Sequence, residues 1–142
     1  FQFMGAQNIT PVATLQQTGA ASFSTTVGFT KPVDEQGRVG GTASLIVGIT
    51  FGANPTLTRY DLTVTDAGAR NWTGTMSGSQ LLSSFAKSQS SPNLNVSCGG
   101  ACLSTGTGNA SGFVIGPNRG GMISSYSLNA GTAGVTGSIA VK

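Results

Sequence analysis

Histidine is absent from this 142-residue chain, and charged side chains make up only 8% of it, against roughly 25% in an ordinary soluble domain. Without imidazole there is no Ser-His-Asp or Cys-His nucleophile system and no His-ligated zinc, iron or haem. The seven basic residues, Lys31, Arg38, Arg59, Arg70, Lys87, Arg119 and Lys142, outnumber the four acids and give a formal charge of +3. No two of them are adjacent, so the dense basic stripe that tracks a phosphate backbone is missing and no nucleic-acid partner is expected. No run of 18 apolar residues is available to form a transmembrane helix, and the N-terminus lacks a basic region followed by a hydrophobic one. The chain opens on Phe1 rather than Met, which suggests a mature, trimmed or excised form.

What the chain has instead is 35 serines and threonines, 22 glycines and eight asparagines. Its polar surface must be built from hydroxyls, amides and backbone. The apolar fraction of 38% suffices for one core, since a chain this long buries about two-thirds of its unfolded surface.

Apolar and small polar residues alternate repeatedly, the mark of a half-buried strand. In GTASLIVGITFG, Ala43, Leu45, Val47, Ile49 and Phe51 share one face. Similar segments cover residues 20–29 (Ala21, Phe23, Val27 and Phe29 inward), 57–65 (Tyr60, Leu62, Val64), 71–76 (Trp72, Met76), 93–98 (Leu94, Val96, Cys98), 108–115, 122–128 (Tyr126, Leu128) and 134–141 (Val135, Ile139, Val141). Turn chemistry separates them: Lys31-Pro32, Gln36-Gly37, Asn54-Pro55, Asp66-Ala67-Gly68, Gly116-Pro117-Asn118 and Asn129-Ala130-Gly131. The one helical interruption is SGSQLLSSFAKS, where Leu81, Leu82 and Phe85 suit a short amphipathic turn closing one end of a barrel.

Eight such strands joined by short turns predict an all-β fold, an antiparallel up-and-down β-barrel, with a two-sheet β-sandwich as the alternative. Closure removes the exposed sheet edges that a charge-poor chain is badly placed to protect. Gly108, Gly112 and Gly137, inside strands, favour the barrel because closure needs bends where a side chain would collide. The outward faces read Thr, Ser and Gly, unlike those of a lipid-embedded barrel. Two regions follow: an extended N-terminal tail, residues 1–19, and the barrel domain, residues 20–142. In the tail Phe1, Phe3, Ile9, Val12 and Leu15 are spread among Gln, Asn and Pro without a period, and they mark a possible assembly segment accepted by its own barrel or by a neighbouring molecule.

Cys98 and Cys102 lie in SCGGAC, where two glycines free the backbone to close a local disulfide. A metal would need two further ligands that no histidine or third cysteine supplies. The bridge points to an oxidising compartment. Asp34 and Glu35, adjacent in a loop, are expected to be solvated rather than catalytic, and Asp61 is expected to pair with Arg59 or Arg70. Calcium at Asp61 or Asp66 lacks a dense run of ligands. Trp72, Tyr60 and Tyr126 are assigned to core filling. The Asn-x-Ser/Thr triplets at Asn8, Asn71, Asn95 and Asn109 decide nothing in so hydroxyl-rich a chain.

In residues 109–141, a Gly-Phe strand, a Gly-Pro turn, Ser-Tyr-Ser-Leu and Val-x-Gly-x-Ile-x-Val resemble the closing strands of the barrel in transferrin-binding-protein-like surface lipoproteins. They are also similar to the C-terminal barrel that accompanies FecR-type domains in proteobacterial proteins. GAASFSTTVGF and GGTASLIVGITF resemble that family's opening hairpin, so the likeness covers residues 19–141. It implies an eight-stranded barrel exported by a Gram-negative bacterium to the surface or periplasm, with a binding role and no catalysis. The chain departs from the family in beginning with Phe1 rather than a lipidated Cys and in having no room for a handle domain. The expectation is therefore a non-enzymatic exported barrel, without cofactor or metal, that presents loops 31–41, 88–106 and 119–122 to a protein or glycan ligand. The alternative is the subunit of an extracellular filament, a homopolymer assembled through the N-terminal tail.

Overall fold

The computed structural model describes residues 19–87, 92–102, 104–115 and 120–142. The tail residues Phe1, Phe3, Ile9, Val12 and Leu15 lie outside the described residues. The described chain is all-β and antiparallel apart from one helical turn. Its strands are β1 (Gly19–Phe23), β2 (Thr26–Phe29), β3 (Val33–Asp34), β4 (Thr42–Phe51), β5 (Thr56–Thr65), β6 (Asn71–Met76) and β7 (Gln80–Leu81), then β8 (Leu94–Gly99), β9 (Ser104–Ile115), β10 (Gly121–Ala130) and β11 (Ala133–Val141); α1 (Leu82–Phe85) follows β7.

The eleven strands form one sheet in the order β1-β4-β5-β6-β8-β9-β10-β11-β2, with β3 on β11 and β7 on β5. The count exceeds the eight expected because two short strands are added and the first stretch is split. β1 pairs β4, with Gly19 opposite Phe51, whereas β2 pairs β11, with Phe29 opposite Ile139. The chain passes from one partner to the other at Ser24 and Thr25, where Thr25 and Lys142 exchange backbone hydrogen bonds of 3.1 and 2.9 Å. No ladder joins β1 to β2, so the sheet is a curled, open half-barrel whose two ends are consecutive pieces of one stretch.

Inside the curl the expected faces meet: Leu45, Val47, Ile49, Leu62, Val64, Trp72, Leu128 and Ile139 are all at most 1% exposed. Removing such side chains from water is the main favourable term in folding. Glycine makes room for the curl. A Cβ at Gly112 would stand 2.4 Å from the carbonyl oxygen of Ile123, and one at Gly137 would stand 2.4 Å from the Tyr126 hydroxyl. Tyr126 lies directly opposite Gly137 in the ladder, so its ring covers the backbone that the glycine leaves bare.

Two bulges change the expected faces. Between Gly48 and Ile49 the partners step from Arg59 to Leu57, so Thr58 is the extra residue, and Leu57 joins Tyr60 inside despite the odd spacing. On β2 the partners of Ala140 and Val141 are Gly28 and Thr26. Val27 is left over and turns outward, 61% exposed, while Phe29 stays at the rim, 36% exposed. The expectation that both sit in the core is corrected by that bulge. In the helical turn Leu82 and Phe85 are buried as expected, but Leu81 belongs to β7 and is exposed. The Phe85 ring packs against Tyr60 at 5.6 Å between centroids and closes the end of the barrel where β5 begins.

Candidate functional site

At the opposite end, where β5 finishes, the chain gathers three of its four carboxylates. Two turns there share a single construction. In DEQGR, Asp34 Oδ1 accepts the backbone N–H groups of Gln36 and Arg38 at 3.0 and 2.9 Å, and Oδ2 accepts the Arg38 guanidinium at 2.7 Å. In DAGAR, Asp66 Oδ1 accepts Gly68 and Arg70 N–H at 2.9 and 3.1 Å, and Oδ2 accepts the Arg70 guanidinium at 2.6 Å. The backbone closes identically, with Gly37 N–H donating to Asp34 and Ala69 N–H to Asp66. Each is an Asx turn completed by an i,i+4 ion pair. The fourth residue of each is left-handed: Gly37 at φ 80° and Ala69 at φ 59°.

The two turns are tied together. Arg70 Nη1 and Nη2 donate to Glu35 Oε1 and Oε2 at 3.0 and 2.8 Å, and Glu35 Oε2 also accepts the Gly134 N–H at 3.0 Å. The Trp72 indole N–H donates to Asp66 Oδ2 at 2.9 Å, and the Arg70 guanidinium stands 5.4 Å from the Trp72 ring centre. One arginine thus fastens three loops to the core.

Arg70 and Glu35 set each other's charge. The Arg70 guanidinium, with help from the Gly134 N–H, lowers the Glu35 pKa to about 2, and Glu35, outweighing burial, raises that of Arg70. For Asp34, burial alone raises the pKa, but the backbone and guanidinium of Arg38 and the Gln36 N–H outweigh it, so the net shift is downward. Asp66 behaves alike: burial raises, while Trp72 and Arg70 lower it further. The fourth acid, Asp61, pairs with Arg59 at 2.5 Å on the exposed outer face, one of the two partners expected.

Asp34, 6% exposed, and Glu35, whose side chain is 29% exposed and held by Arg70, correct the expectation of a solvated acidic pair, and Asp66 is likewise buried, at 3% exposed. Their oxygens are spent on N–H donors. Among the described residues no trio of acidic or sulfur side chains is placed to hold a metal ion. Sequence reasoning missed the pairing, although the repeated spacing Asp-x-x-x-Arg in DEQGR and DAGAR carries the signal.

Beside this clasp Cys98 and Cys102 are joined in a disulfide, with their Cα atoms 5.8 Å apart, as the sequence indicated. The bridge closes the loop between β8 and β9, and Gly100 within it lies over the Ala69 carbonyl. It is consistent with an oxidising compartment. Of the described residues, no helix is long and apolar enough to cross a membrane.

The aromatic candidates are core. Trp72 and Tyr60 are 0% and 1% exposed, and Tyr60 shares a 2.8 Å hydrogen bond with Ser124. The Tyr126 hydroxyl has no hydrogen-bond partner among the described residues. Burial raises the pKa of both phenols.

The outer surface carries the most regular pattern. Ser44, Thr63, Thr73, Ser97 and Thr105 are cross-strand partners in succession over β4, β5, β6, β8 and β9. They form an uncharged row of hydroxyls across five strands, in which Thr73 and Ser97 share a 2.6 Å hydrogen bond. Near the α1 end an open groove of about 300 Å³ is lined by Met76, Leu94, Asn95 and Thr107 among others. Asn93, at its edge, is already occupied, exchanging hydrogen bonds with the Ala110 backbone and donating to Gln80.

The chain matches no protein-family model, and neither a curated protein nor a solved structure is significantly similar to it.

Proposed function

We propose that the chain is a non-enzymatic, exported β-barrel module that acts by surface contact with a protein or glycan. The observation that carries this reading is the filled interior: Trp72, Tyr60, Phe85, Leu45 and Met122, at most 1% exposed, occupy the space in which a small-ligand barrel keeps its cavity. Recognition then falls to the outside, to the hydroxyl row and to loops held rigid by Arg70 and by the disulfide. The commitment of all four carboxylates to arginine supports a binding rather than an acid–base role. The disulfide supports export, and the motifs in residues 109–141 support the likeness to transferrin-binding-protein-like barrels.

The test is the mass distribution of the purified chain in dilute solution and imaging of the same sample, followed by a screen against host surface proteins and glycans. A 14.2 kDa monomer whose ligand binding is lost on Thr73→Lys supports the module. Fibres, or turnover abolished by one substitution, overturn it.

A further inference from the structure

Among the described residues, the outer face of β9, β10, β11 and β2 carries an apolar strip. Phe113 on β9 is the cross-strand partner of Ile123 on β10, Ile123 of Ala140 on β11, and Ala140 of Gly28 on β2, beside which the bulge turns Val27 outward. Phe113 and Val27 are 45% and 61% exposed, Ile123 is half-buried and Ala140 is buried, at 9% exposed, so Phe113 and Val27 carry most of the accessible surface; none of these side chains is charged. On β4, β5, β6 and β8 the outward positions carry mainly hydroxyls and amides with the Arg59–Asp61 pair, and half-buried Ile46 stands alone among them. Consecutive apolar partners over β9, β10 and β11 therefore differ from that part of the surface.

Its dimensions decide what fits. Four strands at about 4.8 Å spacing make it roughly 14 Å long, and a handful of side chains offers far less than the ~800 Å² per partner of a stable protein–protein interface. A second folded copy would therefore be held weakly. A short tethered segment needs much less, because tethering raises its effective concentration to the millimolar range.

The chain supplies such a segment. Residues 1–18 contain no charged side chain but carry Phe1, Phe3, Met4, Ile9, Val12 and Leu15. They join the fold at Gly19, opposite Phe51, at the same end of the barrel as the strip. Eight residues separate Gly19 from Val27, a span of at most about 28 Å, while 18 residues reach roughly 60 Å. We infer that the strip Phe113–Ile123–Ala140–Val27 is the docking surface for the N-terminal segment of the same molecule. This does not depend on the ligand-binding reading above.

The test is amide hydrogen exchange on the full chain, with a free peptide of sequence 1–18 as reference. In the full chain the segment should exchange more slowly than in the peptide, independently of dilution and in a monomer. In Val27→Ser/Phe113→Ser the protection should be lost while Trp72 keeps its native near-ultraviolet signal. Phe113→Ser alone serves if the pair does not fold, and Thr63→Ser on the far outer face should leave protection intact. Exchange in the parent at the peptide's rate overturns the inference, as does protection that survives both strip variants. So does protection that disappears on dilution as a dimer dissociates, which would make a second copy the occupant.

Discussion

Arg70 and Glu35, 35 residues apart in sequence, face each other across two loops in a two-pronged ion pair of 3.0 and 2.8 Å. The same guanidinium holds Asp66 through its third donor position. Because the Arg70 side chain is only 9% exposed and that of Asp66 wholly buried, removing the arginine strands a buried carboxylate. Arg70→Met should lower unfolding free energy by about 3–5 kcal/mol near neutral pH, measured by urea denaturation. Arg70→Lys should recover only part of this, since an ammonium lacks the planar fork.

The same pair gives an acid response. Glu35 has its pKa lowered from 4.5 to about 2, so the native state binds its proton less readily than the unfolded chain. The stabilisation is complete above the ordinary carboxylate range and is lost as pH falls from about 4.5 through about 2. Asp34 and Asp66 are lowered too and act in the same direction. Wild-type stability should fall steeply over that window, and Glu35→Gln, less stable at neutral pH, should show a shallower fall. Parallel stability–pH curves would refute the assignment.

Ala69 occupies, at φ 59°, the left-handed position that glycine takes in the sister turn. Ala69→Gly should stabilise the fold by roughly 0.5–1 kcal/mol, relief of the Cβ clash exceeding the added flexibility of the unfolded chain. Gly37→Ala should cost a similar amount, and thermal unfolding of both variants checks the symmetry.

The two buried tyrosines should respond oppositely to loss of their hydroxyls. Tyr60→Phe breaks the bond to Ser124 and should cost about 1 kcal/mol. Tyr126→Phe removes a buried hydroxyl without a partner and should be neutral or stabilising by up to about 1 kcal/mol. Equal losses in denaturant midpoint would contradict this.

Reduction of Cys98–Cys102, or Cys98→Ser/Cys102→Ser, should cost about 2 kcal/mol, because the closed loop is short. The fold should survive with its Trp72 signal intact, and faster proteolysis between β8 and β9 should report the freed loop.

Alternation made the strands and their inward residues legible: Leu45, Val47, Ile49, Leu62, Val64 and Trp72 stand where period two put them. It failed at Val27 and Leu57, since one inserted residue flips a face and nothing in composition marks the insertion. The Cys98–Cys102 bridge was readable from its local spacing. The two Asp-x-x-x-Arg turns were readable in principle, as each is a local construction. Glu35 meeting Arg70, and Phe113, Ile123 and Ala140 falling in line with Val27, depend on register between distant strands.

The stretch that supplies both β1 and β2 has a consequence for the order of events. Strands β4 to β6 and β8 to β11 meet neighbours that precede or follow them closely, so hairpins can accumulate as the chain emerges. β2 cannot: its partner β11 and the Thr25–Lys142 bonds lie far along the chain, as the separation of 108 residues between Thr30 and Ser138 shows. A partner so far along the chain is slow to find, so the first stretch must wait, half paired, until β11 is available. Removal of Ile139, Ala140 and Val141 would leave β2 without its partner strand.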